Sequence, residues 1–106
     1  MKMENEIIKF IEDFKSRSSG LEEVFLDGYC YYFAIILKER FNFLTIIYDP
    51  IKSHFITKFQ DRYYDITGEI THDLNISNLI RWDLYNDTIH RERIERDIIL
   101  KREVEG

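Results

Sequence analysis

Residues 26–37 read Leu26-Asp27-Gly28-Tyr29-Cys30-Tyr31-Tyr32-Phe33-Ala34-Ile35-Ile36-Leu37, and this stretch contains the only cysteine of the chain. Gly28 stands just before the cysteine and permits a sharp turn into a helix. The helix is predicted to run to about Arg40, because apolar side chains recur three and four residues apart. These side chains are Cys30, Phe33, Ala34, Leu37 and Phe41. The pattern places Cys30 in the first turn.

The first turn of a helix is a distinctive place for a thiol. Free backbone N–H groups and the positive end of the helix dipole favour a thiolate there. The alternative is that Cys30 is a small buried hydrophobic residue, because free cysteines are among the most buried residues in proteins. The segments that follow the helix favour the first interpretation.

Two segments after this helix, residues 53–59 and 62–68, are rich in β-branched and aromatic residues and predict two strands. A two-residue turn at Gln60-Asp61 joins them as a hairpin. In that register His54 and Asp65 are diagonal neighbours on one face, because side chains alternate between faces along a strand. A shift of one residue would separate them.

A cysteine at a helix start, a histidine on a strand and an aspartate on the next strand together resemble the papain-like superfamily of cysteine hydrolases, in its compact NlpC/P60-like and transglutaminase-like versions. The resemblance covers a little under half of the chain, in Gly28-Tyr29-Cys30, Ser53-His54-Phe55 and Tyr63-Tyr64-Asp65-Ile66-Thr67-Gly68. It implies an α+β fold with a papain-like core. The cysteine-bearing helix would pack on a short antiparallel sheet of about three strands, with further helices at the N- and C-termini.

The resemblance also implies a catalytic triad of Cys30, His54 and Asp65 that acts on an amide, isopeptide or thioester bond. The thiolate would attack an acyl carbon, His54 would hold or take its proton, and Asp65 would fix the imidazole orientation. Each residue has a simpler alternative: Cys30 in the core, His54 half-exposed on its strand, and Asp65 in the turn at Gly68. A non-catalytic protein-binding module on the same scaffold, such as a phage-encoded inhibitor of a host protein, is the alternative from another class.

Three aromatic residues are candidates for contact with a substrate: Tyr29 beside the cysteine, Tyr63 on the second strand, and Trp82 as a lid near the hairpin. Core packing is the alternative for each, with a tyrosine hydroxyl reaching a hydrogen-bond partner. The histidines show no close-spaced pair typical of a metal site, so neither a metal nor another cofactor is expected.

The bulk composition limits the function further. A length of 106 residues predicts a single domain spanning 1–106. The net charge of −5 argues against nucleic acid as the main partner, since phosphate binding needs a basic surface. A single cysteine, no signal peptide and no apolar membrane span predict a reducing, cytoplasmic location and no membrane partner. Isoleucine outnumbers leucine about two to one, which suggests a bacterial or phage source.

The expected partner is therefore a protein or peptide substrate or a protein to be bound, and the oligomeric state stays open. The remaining predicted elements are a helix from Glu4 to Ser16, a connector at 21–27 with buried Leu21, Val24 and Phe25, a buried strand from Phe43 to Asp49, a helical stretch within 73–84 capped by Asp73 or Ser77, and a final helix from Asp87 or Thr88 to about Val104.

Overall fold

The computed structural model of the protein describes residues 2–26 and 29–99. In these residues four α-helices accompany a five-stranded antiparallel sheet, which confirms the predicted α+β class. The helices are α1 (Lys2–Lys15), α2 (Leu21–Leu26), α3 (Cys30–Arg40) and α4 (Thr88–Ile94), the last continuing as a π-helical turn over Glu95–Ile99. The strands are β1 (Thr45–Asp49), β2 (His54–Phe59), β3 (Arg62–Asp65), β4 (Gly68–Glu69) and β5 (Ile80–Arg81).

The helix α1 is amphipathic, and its apolar face packs against one part of the core. Ile7 and Ile11 lie one helical turn apart and are fully buried, while the opposite face is charged. Phe14 reaches α3 and packs against Phe33 with 5.3 Å between ring centroids. The sequence period of α1 therefore fixes which side of α3 it covers.

The sheet has the strand order β4-β3-β2-β1-β5, so β2 is its central strand. The β2–β3 hairpin pairs Phe59 with Arg62 and Thr57 with Tyr64, and a two-residue turn at Gln60-Asp61 connects the strands as predicted. Gln60 adopts the left-handed conformation with φ of +56°. The register keeps His54 and Asp65 on the same face of the sheet, since it pairs Thr57 with Tyr64 and side chains alternate along both strands.

The two faces of the sheet are covered by different elements. α3 lies against the face that carries Phe55 and Tyr64. The segment 70–79 covers the other face, where Ile70, Leu74 and Leu79 pack against the buried side chains of Ile47, Ile56 and Tyr63. His54 and Asp65 belong by alternation to this second face, near the open end of the hairpin.

Several predicted boundaries are wrong. The sheet has five strands rather than about three, because β4 and β5 contain only two residues each and are too short to show a period. The buried strand begins at Thr45, since residues 42–43 form a turn. The predicted connector at 21–27 contains the helix α2, and Val24 is 45% exposed rather than buried.

The C-terminal part is also more broken than predicted. Residues 71–84 contain 3₁₀ turns over Thr71–Asp73, Ile76–Asn78 and Trp82–Leu84, with β5 between the last two, instead of one helical stretch. Asp87 caps α4 by accepting a hydrogen bond from the backbone N–H of His90. The predicted end near Val104 lies outside the described residues. No helix in the described ranges has the length and apolar character needed to cross a membrane.

The left-handed conformation of Gln60 at the hairpin turn can be tested by substitution. Gln60→Gly should raise the free energy of unfolding by up to about 1 kcal/mol, because glycine adopts a positive φ without steric cost. Urea denaturation measures the change. Gln60→Ala is the matched control and should be no more stable than the wild type, since alanine keeps the Cβ penalty. Equal stability of the glycine and alanine variants would contradict a left-handed residue at this turn.

Candidate functional site

Cys30 occupies the first position of α3, as the apolar period predicts. The preceding residue, Tyr29, makes no side-chain cap to the first-turn backbone N–H groups of α3. The side chain is buried, with 5% of its surface exposed, and Sγ accepts a hydrogen bond from the backbone N–H of Phe55 at 3.5 Å. The predicted turn at Gly28 lies outside the described residues.

The two other members of the predicted triad are joined directly. Nε2 of His54 lies 2.9 Å from Oδ2 of Asp65, and both side chains are largely buried, with 12% and 8% exposure. Oδ1 of Asp65 accepts from the backbone N–H of Thr67 at 2.8 Å and from its hydroxyl at 2.5 Å. The shared face of the two strands therefore brings together the two residues that the hairpin register predicts.

The electrostatics of the pair follow from these contacts. Burial lowers the pKa of His54, but the hydrogen bond to Asp65, and next the hydrogen bond and charge of Cys30, raise it to about 9. Burial alone would raise the pKa of Asp65, yet the hydrogen bonds from His54 and Thr67 outweigh it and leave this pKa lowered. At neutral pH the pair is thus an imidazolium and a carboxylate.

The thiol completes the arrangement. Cys30 contributes to the raised pKa of the His54 imidazole, after Asp65, through a hydrogen bond and through its charge. A buried imidazolium beside a carboxylate can deliver a proton to a leaving group that reaches its ring.

A cleft of about 350 Å³ opens beside His54 and Asp65. Its apolar wall is formed by Leu26, Ile70 and Leu74, and its polar side includes the hydroxyl residues Ser53 and Thr67. Lys52 lies on this side of the cleft, and its Nζ donates a hydrogen bond to the backbone carbonyl of Asp73 at 2.9 Å. The cleft therefore offers both apolar and polar contacts next to the imidazole.

The three aromatic residues predicted to contact a substrate lie elsewhere. Tyr63 is buried with Ile47 and Ile56 on the covered face of the sheet. Trp82 is 3% exposed, and its ring lies 5.0 Å from that of Phe55. Tyr29 is half-buried and packs on Tyr32 of α3. None of the three lines the cleft, and their contact with a substrate stays a prediction.

Sequence reasoning missed the residues that do line the cleft, among them Lys52, Ser53, Thr67, Ile70 and Leu74. One signal was present: residues 65–68 read Asp-Ile-Thr-Gly, and aspartate at the first and glycine at the fourth position are typical of a type I turn. The segment 70–79 carries no strong period, so its position over the sheet had no comparable signal. Among the described side chains, no three His, Cys, Asp or Glu are placed to hold a metal ion.

The His54–Asp65 pair makes stability depend on pH. The pKa of folded His54, about 9, lies above the unfolded value of about 6.5. The stabilisation is therefore complete below about pH 6.5 and is lost as pH rises through about 9, amounting to roughly 3 kcal/mol. The lowered pKa of Asp65 adds stabilisation that is present above its unfolded value and is lost as pH falls through the folded one.

We expect the wild type to lose free energy of unfolding between about pH 6 and about pH 9.5, and His54→Gln to lose much less. Urea denaturation at both pH values measures this difference. The control is His72→Gln, which changes an exposed histidine on the 71–73 turn and should keep the wild-type dependence. The same pH dependence in the wild type and His54→Gln would show that the pair is not ionised as described.

One protein family, described as Phage YunG-like protein, matches residues 7–99, which is most of the chain. No curated protein and no solved structure matches it. The resemblance to papain-like cysteine hydrolases is therefore wrong: it was carried by three residues of common types, and the family that matches is a different one. The chain belongs to the Phage YunG-like family.

Proposed function

We propose that the function of this phage-associated protein resides in a reactive thiol, Cys30, which forms a covalent bond with an acyl group on an amide, isopeptide or thioester substrate. The observation that carries this proposal is the 2.9 Å hydrogen bond between His54 and Asp65, together with the interaction of Cys30 with the same imidazole. A buried imidazolium and carboxylate are costly to bring out of water, and a thiol beside them is the arrangement that nucleophilic catalysis needs.

The chemistry follows from the positions of these groups. The Cys30 thiolate attacks the acyl carbon, a C–S bond forms, and the carbonyl oxygen becomes an oxyanion. First-turn N–H groups of α3 can donate to that oxyanion, because a helix leaves them without intrahelical acceptors. His54 gives its proton to the departing nitrogen or sulfur as that bond breaks. Water then attacks the thioester, His54 takes the proton from this water, and the released acid leaves the thiol free.

The cleft beside His54 is the proposed substrate site. A substrate there would touch the imidazole from the side that carries Ser53 and Thr67 and would rest on Leu26, Ile70 and Leu74. Cys30 is buried and is not among the residues that line the cleft, so the acyl carbon must reach past the imidazole to meet the thiol. A volume of about 350 Å³ accommodates a side chain with its flanking peptide groups rather than a large folded surface. This supports a peptide-like acyl group as the substrate class.

The second candidate is a non-catalytic protein-binding module, for example a phage-encoded inhibitor of a host protein. Cys30 is buried and already satisfies the backbone N–H of Phe55, which gives the thiol a structural role. Two large apolar side chains near the start of α4, Leu84 and Ile89, are 65% and 75% exposed, as side chains at a protein-binding surface can be. The family supports this candidate more directly, because it links the chain to phage and to no reaction.

Acylation of Cys30 separates the two candidates. With p-nitrophenyl acetate at neutral pH, the wild type should release p-nitrophenolate in a burst and carry one acetyl group on Cys30, as measured by intact mass. His54→Gln should slow this acylation at least ten-fold, since the imidazolium no longer stabilises the thiolate. Cys30→Ser should show no burst while keeping its melting temperature close to that of the wild type.

His72→Gln again serves as the matched control and should acylate at the wild-type rate. The binding-module candidate predicts a different result: Cys30 would react only after unfolding in urea, and His54→Gln would leave the rate per unfolded molecule unchanged. That outcome would rule out covalent catalysis by this thiol.

A further inference from the structure

The short turn between β3 and β4 holds the Asp65 carboxylate from the side opposite to His54. Thr67 donates twice to Oδ1 of Asp65, through its backbone N–H at 2.8 Å and through its hydroxyl at 2.5 Å. The other carboxylate oxygen, Oδ2, is the one that meets Nε2 of His54 at 2.9 Å. Each oxygen of Asp65 thus has a different partner, and the rotation of the carboxylate is fixed by both.

The two bonds from Thr67 differ in what the turn requires. The backbone bond belongs to an Asx turn, in which an aspartate at the first position accepts from the N–H two residues later. The same turn ends at Gly68, whose φ is +119°. The turn would close with the backbone bond alone. The hydroxyl bond is an addition, made by an exposed residue whose hydroxyl water could otherwise satisfy.

We propose that Thr67 is a positioning residue of the thiol site: its hydroxyl holds Oδ1 of Asp65 so that Oδ2 points at Nε2 of His54, and this fixes the orientation of the imidazole with which Cys30 interacts. This inference rests on the proposed thiol chemistry for its purpose, but the geometric part stands on three hydrogen bonds within residues 54–67. Thr67 also lines the cleft beside His54. It therefore lies where a substrate would meet the oriented imidazole.

A structural role alone would leave the imidazole unaffected, so the test reads His54 itself. Thr67→Val keeps the shape and the backbone N–H but removes the donor, whereas Thr67→Ser keeps the donor. The matched control is Thr71→Val on the next turn, where the threonine hydroxyl accepts from the backbone N–H of Tyr63 at 2.9 Å. The pKa of His54 is measured from the imidazole proton resonances of the full chain, and the alkylation rate of Cys30 by iodoacetamide at neutral pH.

We expect Thr67→Val to lower the pKa of His54 by roughly one unit from its value of about 9, because a carboxylate free to turn bonds the imidazole less well. Alkylation of Cys30 should slow several-fold in the same variant. Thr67→Ser and Thr71→Val should match the wild type in both measurements. If Thr67→Val does not fold, the comparison of Thr67→Ala with Thr67→Ser gives the same answer.

An unchanged or raised pKa of His54 in Thr67→Val would overturn the proposal. A rise would mean that the carboxylate, made more basic by the lost donor, keeps its orientation without Thr67. The failure of the proposed function gives a different pattern: the pKa of His54 falls in Thr67→Val, yet p-nitrophenyl acetate acylates no variant. In that case the positioning holds and the thiol chemistry does not.

Discussion

The register of the β2–β3 hairpin is the constraint on which the rest of the structure depends. It pairs Phe59 with Arg62 across the turn at Gln60-Asp61, and it decides which side chains face α3 and which face the segment 70–79. A shift of the register by one residue would turn the apolar side chains of β2 to the opposite face of the sheet and would separate His54 from Asp65. The left-handed conformation of Gln60 is the local cost of this register.

The His54–Asp65 pair shows why such a register matters for chemistry. Buried ion pairs are weak evidence for stability, because the loss of water around both charges offsets most of their attraction. Here the remaining lone pairs of Asp65 are satisfied by Thr67, and the imidazole has Cys30 as a further partner. Replacement of a buried ion pair by apolar side chains of similar volume is often neutral for stability. In the proposed function, the two charges act on the neighbouring thiol.

The sequence allowed the elements with a clear period to be predicted, and little else. The α3 helix with Cys30 at its start, the hairpin register and the meeting of His54 with Asp65 all follow from spacing within short stretches. The strands β4 and β5 have two residues each, and the segment 70–79 has no period. Their positions depend on tertiary packing, so the cleft that residues 70–74 help to line could not be foreseen.

The predicted papain-like family is wrong for a related reason. Cysteine, histidine and aspartate in that order can indicate a type of reaction, but they do not identify a protein family. Three common residues on common secondary-structure elements recur in unrelated folds. The family match extends over residues 7–99, far beyond the three short segments that carried the resemblance. The structure thus brings His54 and Asp65 together, as the hairpin register predicts, while the papain-like family assignment is wrong.

The short length of β4 and β5 affects how readily sheets of different molecules could pair edge to edge. Both outer strands of the sheet have only two residues, so each edge presents few backbone N–H and C=O groups to another molecule. The central strand β2 lies between β1 and β3, away from those edges. Concentrated samples, such as those that NMR titration requires, should therefore be protected from the edge-to-edge growth that turns open sheets into fibres.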